Sequence, residues 1–426
     1  MPQAVIRLWP LLARTLIRPE LYGHCAGQLG RCVYAGIWVG EDSAVPQEEG
    51  IRLDVLAALK QLRAPVLRWP GGGFAGEYHW RDGIGPRAER PLTVNAGAGQ
   101  TDPNTFGVDE YIRCCRAIGA EPYCCVNSGS GTPDDARKWV EYCNFGGDSD
   151  IARKRMAYGR PEPYGVKYWN IGHPTRRAAF PESAEYARLF CRFGSYMKEM
   201  DPAIQLIASG PAFDSGTPVS PPDWEQECCR HLRRFAPDLM DHFAISAVFQ
   251  RGSGDAFSVE DYQNLWGDVE TFETHIARID AILRYYFPQK NIGIVIDEWG
   301  MRHPEATADN GFEQPNTLRD ALLAGSLLNL FNRWAHRLSM ATIAHTINTL
   351  QCMAMTRGNR LFLTPTYHTF ELMRPHMGAR RVLQEVEAPA PPRKESEKTP
   401  KIIEDLDVSA SISGKKLHLT VINRSI

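Results

Sequence analysis

Short apolar runs and longer stretches of helical spacing alternate along this chain. Residues 292–296 are the clearest run. Ile292, Ile294, Val295 and Ile296 are β-branched and nearly continuous, as in a strand buried on both faces of a parallel sheet. Runs of similar character occupy residues 65–70, 121–127, 165–170, 205–209 and 242–248. A glycine-punctuated first strand with its loop falls in 21–40, and an eighth strand region in 339–350. Between them the spacing predicts helices over 51–62, 108–118, 133–144, 182–200, 224–235, 272–286 and 316–336. In 51–62 the inward set is Ile51, Val55, Leu56, Leu59 and Leu62. Eight strand–helix alternations predict an α/β fold of the (β/α)8 TIM-barrel class.

The pattern changes at both ends. Residues 4–17 can form an edge strand. After Met377, APAPPRKESEKTPK (388–401) is proline- and charge-rich and reads as a mobile loop. Two alternating strands follow, 406–412 and 416–422, around Ser413-Gly414-Lys415. The tail is too short to bury a core alone, so it is expected to join the N-terminal strand in a small β domain. The expected division is 1–17 for that strand, 18–376 for the barrel and 377–426 for the rest of the β domain.

The apolar run at 292–296 ends in Asp297-Glu298-Trp299-Gly300. An acidic pair at the end of a buried strand is costly unless used or paired, and the carboxyl ends of barrel strands form the active-site face. A carboxylate beside an indole there suggests chemistry on a sugar or another ring-shaped substrate; the plainer reading is an acid capping the next segment. After Trp69-Pro70 come Gly71, Gly72 and Gly73, a loop whose backbone can approach a ligand closely. Trp80 and Trp299 are expected to line the site, with plain core aromatics as the alternative. Arg68 is expected to order neighbouring strand ends by pairing with Asp or Glu, with ligand contact the second reading. Asn127 is placed at the pocket floor or in a loop tie.

A formal net charge of -2 gives no reason to expect nucleic acid or an anionic membrane as partner. The cysteines include the adjacent pairs Cys114-Cys115, Cys124-Cys125 and Cys228-Cys229 and no metal-type spacing, so they read as buried thiols in a reducing compartment. The N-terminal apolar stretch is broken by prolines and arginines, unlike a signal peptide, and no run reaches the roughly 18 apolar residues of a membrane span. The expected location is the cytoplasm. No cofactor is expected, and the expected partner is a small molecule, carbohydrate or aromatic.

Longer motifs carry a resemblance. YGH at 22–24, LGRCVYAGIWVGEDS at 29–43, LRWPGGGFAGEYHWRDGIGPRAERP at 67–91, NTFGVDEY at 104–111, VKYWNIG at 166–172, DEWG at 297–300, NTLRDALLAG at 316–325 and LTPTYHTFE at 363–371 together resemble the α-L-arabinofuranosidases of glycoside hydrolase family 51. The resemblance covers nearly the whole chain. It implies a barrel with a β-sandwich built from both chain ends, hexameric assembly, and retaining hydrolysis by two glutamates, one attacking the anomeric carbon and one protonating the leaving oxygen. Glu298 falls on the nucleophile. The acid/base glutamate should follow Gly172 in an Asn-Glu pair, and here those positions are His173 and Pro174. Proline cannot donate a proton, and His173 starts one residue early on an alternating strand. The family's sugar-binding glutamate on the first strand is Gly27, and an Asn or Cys of its glycine loop is Gly73. Its His-Tyr-Tyr after the sixth strand is Ala247-Val248-Phe249, and its Asn-Ile-Ala-Gln near the eighth ends in His345.

The framework motifs are therefore kept while the expected sugar contacts are replaced, mostly by small or apolar residues. Three functional readings follow. The first is a family-type glycosidase with Glu298 attacking and with His173, His345 or water supplying protons. The second is a repurposed or redesigned barrel in which a desolvated Glu298 abstracts a proton from an apolar or aromatic substrate. The third is a catalytically silent homologue. Glu298, His173 and His345 could also converge on a metal, but chance placement at three strand ends is preferred and no metal site is assigned.

Overall fold

The computed structural model describes residues 4–96, 98–172, 182–215, 223–387 and 405–425. Eight parallel strands close into a barrel: Gly23–Cys25, Val66–Trp69, Glu121–Val126, Tyr168–Ile171, Gln205–Asp214, His242–Phe249, Gly293–Met301 and Leu338–Ala344. They follow one another around the barrel in chain order, and the eighth pairs with the first. Helices follow the strands, as the long crossovers between parallel neighbours require. Local chemistry sets their ends. Pro133–Asn144 opens on Thr132, whose side chain accepts the Asp135 N–H. Val108–Ile118 stops at Gly119, whose φ of 76° suits glycine.

The barrel interior is layered. Val66, Tyr123, Tyr168, Ile207, Ala244, Val295 and Met340 form one buried apolar cluster inside the strands. Two residues further along each strand, on the same face, stand Arg68, Cys125, Asn170, Ser209, Ser246, Asp297 and Thr342, all buried. The mouth of the barrel thus rests on a polar layer above an apolar floor.

Three elements differ from expectation. The helix expected over 272–286 begins at Val259. Its first half is polar and carries Gly267, which blurs the period, but Ser258 and Asp261 close a capping box that starts it early. The fifth strand runs on to Asp214 through Gly210 and Pro211; a register shift between Ser209 and Ala212 absorbs the proline. The eighth strand ends at Ala344 rather than near residue 350, and further on Asn348 and Leu350 take positive φ, which extended backbone does not.

The expected β domain forms from both chain ends. Val5–Trp9, Arg380–Glu387, Leu406–Ser413 and Lys416–Asn423 lie side by side in a four-stranded antiparallel sheet. Among the described residues the layer packed on it is the helix Leu318–Arg333. Asn332 Nδ2 donates to Ser409 Oγ at 3.0 Å, and Arg333 Nη1 pairs with Asp407 Oδ1 at 2.6 Å. The loop expected at 388–401 lies outside the described residues. No helix among the described residues is long and apolar enough to cross a membrane.

Candidate active site at the barrel mouth

Consecutive residues of a strand face opposite ways, yet Asp297 and Glu298 both reach one guanidinium. The register explains it. Ile245 pairs with Ile296 and the next partner of Ser246 is Glu298, so Asp297 is an extra residue in the seventh strand. This β-bulge re-aims the side chains. Arg68 Nη1 donates to Glu298 Oε1 at 2.6 Å, and Nη2 donates to Asp297 Oδ2 at 3.2 Å. Arg68 and Asp297 are buried, while the Glu298 side chain keeps 18% exposure. Glu298 is the member of the trio open to the mouth.

The glycine loop completes the cradle. Gly72 N–H donates to Glu298 Oε1 at 2.8 Å. A Cβ on Gly72 would sit 2.7 Å from that oxygen, so only glycine allows the contact undisturbed. Gly71, with φ of +90°, brings its α-carbon against the first strand, where an added Cβ would come within 2.7 Å of the Gly27 Cα. Arg68 and the Gly72 N–H both stabilise the ionised form of Glu298. The apolar, desolvated setting expected for a strongly basic Glu298 is therefore not what surrounds Oε1.

Gly27 and His345 meet at the same mouth. A Cβ on Gly27 would lie 2.4 Å from His345 Cε1 and 2.8 Å from its Nδ1. The imidazole fills the space that a side chain at position 27 would enter. His345 is 5% exposed, and its Nδ1 has no hydrogen-bond partner. Burial lowers its pKa, the nearby Glu298 charge opposes that, Arg68 reinforces it, and a backbone hydrogen bond with Cys25 opposes it.

Other expected site residues lie elsewhere. Trp299 is 1% exposed and faces outward, stacking on Phe370 at 5.9 Å and meeting Phe331 edge-on at 5.3 Å. The bulge sends Glu298 inward and Trp299 to the helices, so its expected place in the pocket wall is corrected to the core. Trp80 is also buried. It stacks on Trp139 and donates Nε1–H to the Asp135 carbonyl, lining only a cavity of about 30 Å³ with Tyr78, His79 and Asn127, room for little more than a water. Asn127 is a loop tie, its Oδ1 accepting the N–H groups of Gly129, Ser130 and Gly131. Ala247 and Phe249 are buried on the outer side. Ala247 is in register with Trp299, and Phe249 packs on Phe213 and Phe272. Gly73 is exposed at the start of the turn Gly73–Gly76. His173 and Pro174 lie outside the described residues.

Sequence reasoning passed over Asn170, Ser209 and Ser246. Asn170 Nδ2 donates to Ser209 Oγ at 2.9 Å, and its buried Oδ1 has no partner. Ser246 stands in register with Glu298. A polar residue two places after the inward apolar residue of each strand was the available signal.

Two family models match. Residues 58–244 fit the α-L-arabinofuranosidase 1 domain and 297–424 the α-L-arabinofuranosidase C-terminal domain. The chain is 37% identical over 374 residues to an intracellular exo-α-L-arabinofuranosidase of Bacteroides ovatus, covering 86% of this chain and 71% of that protein. It is 34% identical over 356 residues to α-L-arabinofuranosidase C of Emericella nidulans, covering 80% and 68%. Among solved structures, the GH51 arabinofuranosidase of Xanthomonas axonopodis pv. citri superposes with a TM-score of 0.89 at 30% identity, over 100% of this chain and 86% of that one. The Thermotoga maritima α-L-arabinofuranosidase, solved as an arabinose complex, gives 0.87 at 34% identity, over 99% and 85%.

Proposed function

This chain belongs to the family 51 α-L-arabinofuranosidases, and from that premise we propose that it is a retaining glycoside hydrolase for α-L-arabinofuranosides, with Glu298 as nucleophile and without the family's glutamate acid. The observation that carries the reading is the grip on Glu298: Arg68 Nη1 at 2.6 Å and Gly72 N–H at 2.8 Å, both on Oε1. Two donors on one oxygen keep the carboxylate ionised and fix its plane. A nucleophile needs both.

In the first step a Glu298 oxygen bonds to the anomeric carbon as the glycosidic C–O bond breaks. The leaving oxygen departs with the bonding pair. In the second step water attacks the same carbon and gives up a proton to bulk solvent as the ester bond breaks, and Glu298 returns as a carboxylate. In the sequence, Pro174 takes the position of the family's acid, which gives the leaving oxygen its proton. Losing such an acid typically costs about 10²–10⁴-fold. Leaving groups that are stable as anions escape that penalty.

A series of aryl α-L-arabinofuranosides with leaving phenols of graded acidity tests this. The expected result is a steep rise of kcat/KM with phenol acidity, negligible action on alkyl arabinofuranosides, and no turnover by Glu298→Gln. A flat dependence on the leaving group, or an active Glu298→Gln, would sink the reading. No turnover of any member by the wild type would leave a catalytically silent homologue.

We place the protein in the cytoplasm. All eleven cysteines are thiols, ten of them buried, which suits a reducing compartment. Recovery of the native protein from a secreted or membrane fraction would overturn that placement.

A further inference from the structure

The outer wall of the barrel carries a cavity of about 410 Å³ that shares no residue with the grip on Glu298. One of its walls is the helix Val108–Ile118. Asp109, Ile112, Arg113 and Arg116 are spaced to share one face of that helix, and all four line the cavity. The opposite wall is the segment 159–164, which leads toward the fourth strand. Arg155 holds that segment in shape. It is fully buried and donates from Nη1 to the Tyr142 carbonyl at 2.7 Å, from Nε to the Arg160 carbonyl at 3.2 Å and from Nη2 to the Pro161 carbonyl at 3.4 Å. The two walls are also clamped to each other. The Tyr164 hydroxyl donates to Asp109 Oδ1 at 2.6 Å, and Arg116 Nη2 donates to the Tyr164 carbonyl at 2.6 Å.

Charge is unevenly matched around this cavity. Arg113 pairs with Glu49 at 2.6 Å, and Asp109 accepts the hydroxyls of Tyr142 and Tyr164. Among the described residues, Arg116, Arg155 and Arg160 have no carboxylate partner. The first two bond only carbonyl oxygens, and the Arg160 side chain makes no hydrogen bond or ion pair. A guanidinium buried without a countercharge is costly, and Arg155 stands directly behind the wall. Glu162, exposed at the rim, is the remaining acid of the lining.

We propose that this cavity binds a compact organic anion, a sugar acid or a sugar phosphate, with its oxyanion on Arg116 and Arg160 and its body against Ile112, Pro161, Pro163 and Tyr164. Guanidinium forks match the oxygens of carboxylates and phosphates in pairs. The volume lies in the range of small-ligand sites, about 300–1,000 Å³, so the oxyanion comes with a body attached. Glu162 accepts hydroxyl groups and repels a second anionic group, which favours a hydroxylated molecule with one oxyanion over a polyanion. Because the walls are already clamped, little ordering opposes binding. The site does not depend on Glu298 or on the glycosidase reading.

The test titrates the full chain calorimetrically with D-glucuronate, D-glucose 6-phosphate and, as neutral control, D-glucose. The proteins are wild type, Arg160→Gln, Arg116→Gln and Arg153→Gln. Arg153 is an exposed arginine of the neighbouring helix Asp150–Ala157, outside the cavity. The decisive variant is Arg160→Gln, which removes no bond of the fold, whereas Arg116→Gln also gives up the Tyr164 carbonyl. Wild type and Arg153→Gln should bind at least one anion with one-to-one stoichiometry, and more weakly as salt is raised. Arg160→Gln and Arg116→Gln should lose about tenfold or more in affinity, the size of a lost hydrogen bond to a charged group. D-Glucose should give no heat. Binding of D-glucuronate alone assigns a sugar acid, binding of D-glucose 6-phosphate alone a sugar phosphate, and binding of both the shared oxyanion. No heat from either anion with wild type at millimolar concentration overturns the proposal. So does an affinity unchanged in Arg160→Gln, or D-glucose binding as tightly as the anions.

Discussion

Arg68 bridges Asp297 and Glu298, two carboxylates that follow each other in the chain, with Nη1 2.6 Å from the second and Nη2 3.2 Å from the first. One buried guanidinium thus offsets two acids. Replacing it with a neutral side chain of similar length takes the guanidinium from both acids. Arg68→Met should abolish activity and cost about 3–5 kcal/mol in stability, the usual penalty for breaking a buried pair from one side. The sign of the pH effect follows. Protonation of the two carboxyls removes the charge that has lost its guanidinium, so the stability gap between Arg68→Met and wild type should narrow as pH falls. Urea unfolding of both proteins at pH 7 and pH 4.5 measures it, and a gap that widens in acid contradicts the pairing.

Gly72 carries the second hold on Glu298. A methyl group there would stand 2.7 Å from Oε1, too close to leave the carboxylate in place. Gly72→Ala should cut kcat by roughly 10–100-fold through misplacement of the nucleophile, with a small change in Tm because the loop is partly open to solvent. A variant with wild-type kcat would show that the Gly72 contact does not position the reacting oxygen.

His24 is fully buried against Phe370, and neither ring nitrogen has a partner. Burial pushes its pKa down to about 3. His242, His275 and His376 are likewise pushed to about 4 by burial. A base whose folded pKa is depressed is protonated first in the unfolded chain. Its contribution is whole above pH 6.5 and is lost progressively as pH falls toward the folded value. At pH 5 each such group costs about 2 kcal/mol relative to pH 7. His24→Phe should therefore flatten the decline of stability between pH 7 and pH 5. Chemical denaturation at several pH values in both proteins gives the slopes, and parallel slopes would exclude His24 as a source.

Much of this was legible in the chain. The apolar runs located six of the barrel strands, because a strand buried on both faces has few polar residues to confuse the pattern; the first, Gly23–Cys25, was marked by its glycines instead. Glu298 stood out because an acid at the end of such a run is costly without a use. The polar layer at Arg68, Asn170, Ser209, Ser246 and Asp297 could have been read as well, since each lies two places beyond an inward apolar residue. What could not be read was the bulge. It depends on how Ile245 and Ser246 pair with Ile296 and Glu298 across two strands, and period-2 counting would have put Glu298 and Trp299 on the wrong faces relative to Asp297. The contact of Gly27 with His345 is equally silent in the sequence. It joins residues more than three hundred positions apart, and each alone looks like a simple loss.

Trp299 offers the sharpest contrast between what the motif suggests and what the fold does with it. In DEWG it sits beside the carboxylate and invites a role in stacking a ring-shaped ligand. In the fold it is 1% exposed and lies nearly parallel to Phe370. Its indole packs among helices on the far side of the strand from the mouth. Trp299→Leu should then behave as a core truncation. It removes stacking on Phe370 and the edge contact with Phe331, at a cost of roughly 2–4 kcal/mol in unfolding free energy. The folded fraction should keep its KM for 4-nitrophenyl α-L-arabinofuranoside within about threefold, since no ligand contact is lost. A ligand-stacking tryptophan would give the reverse, with stability nearly intact and KM strongly raised. Denaturation midpoints and KM values from the same preparations separate the two, and the second pattern would mean that the indole reaches the mouth after all.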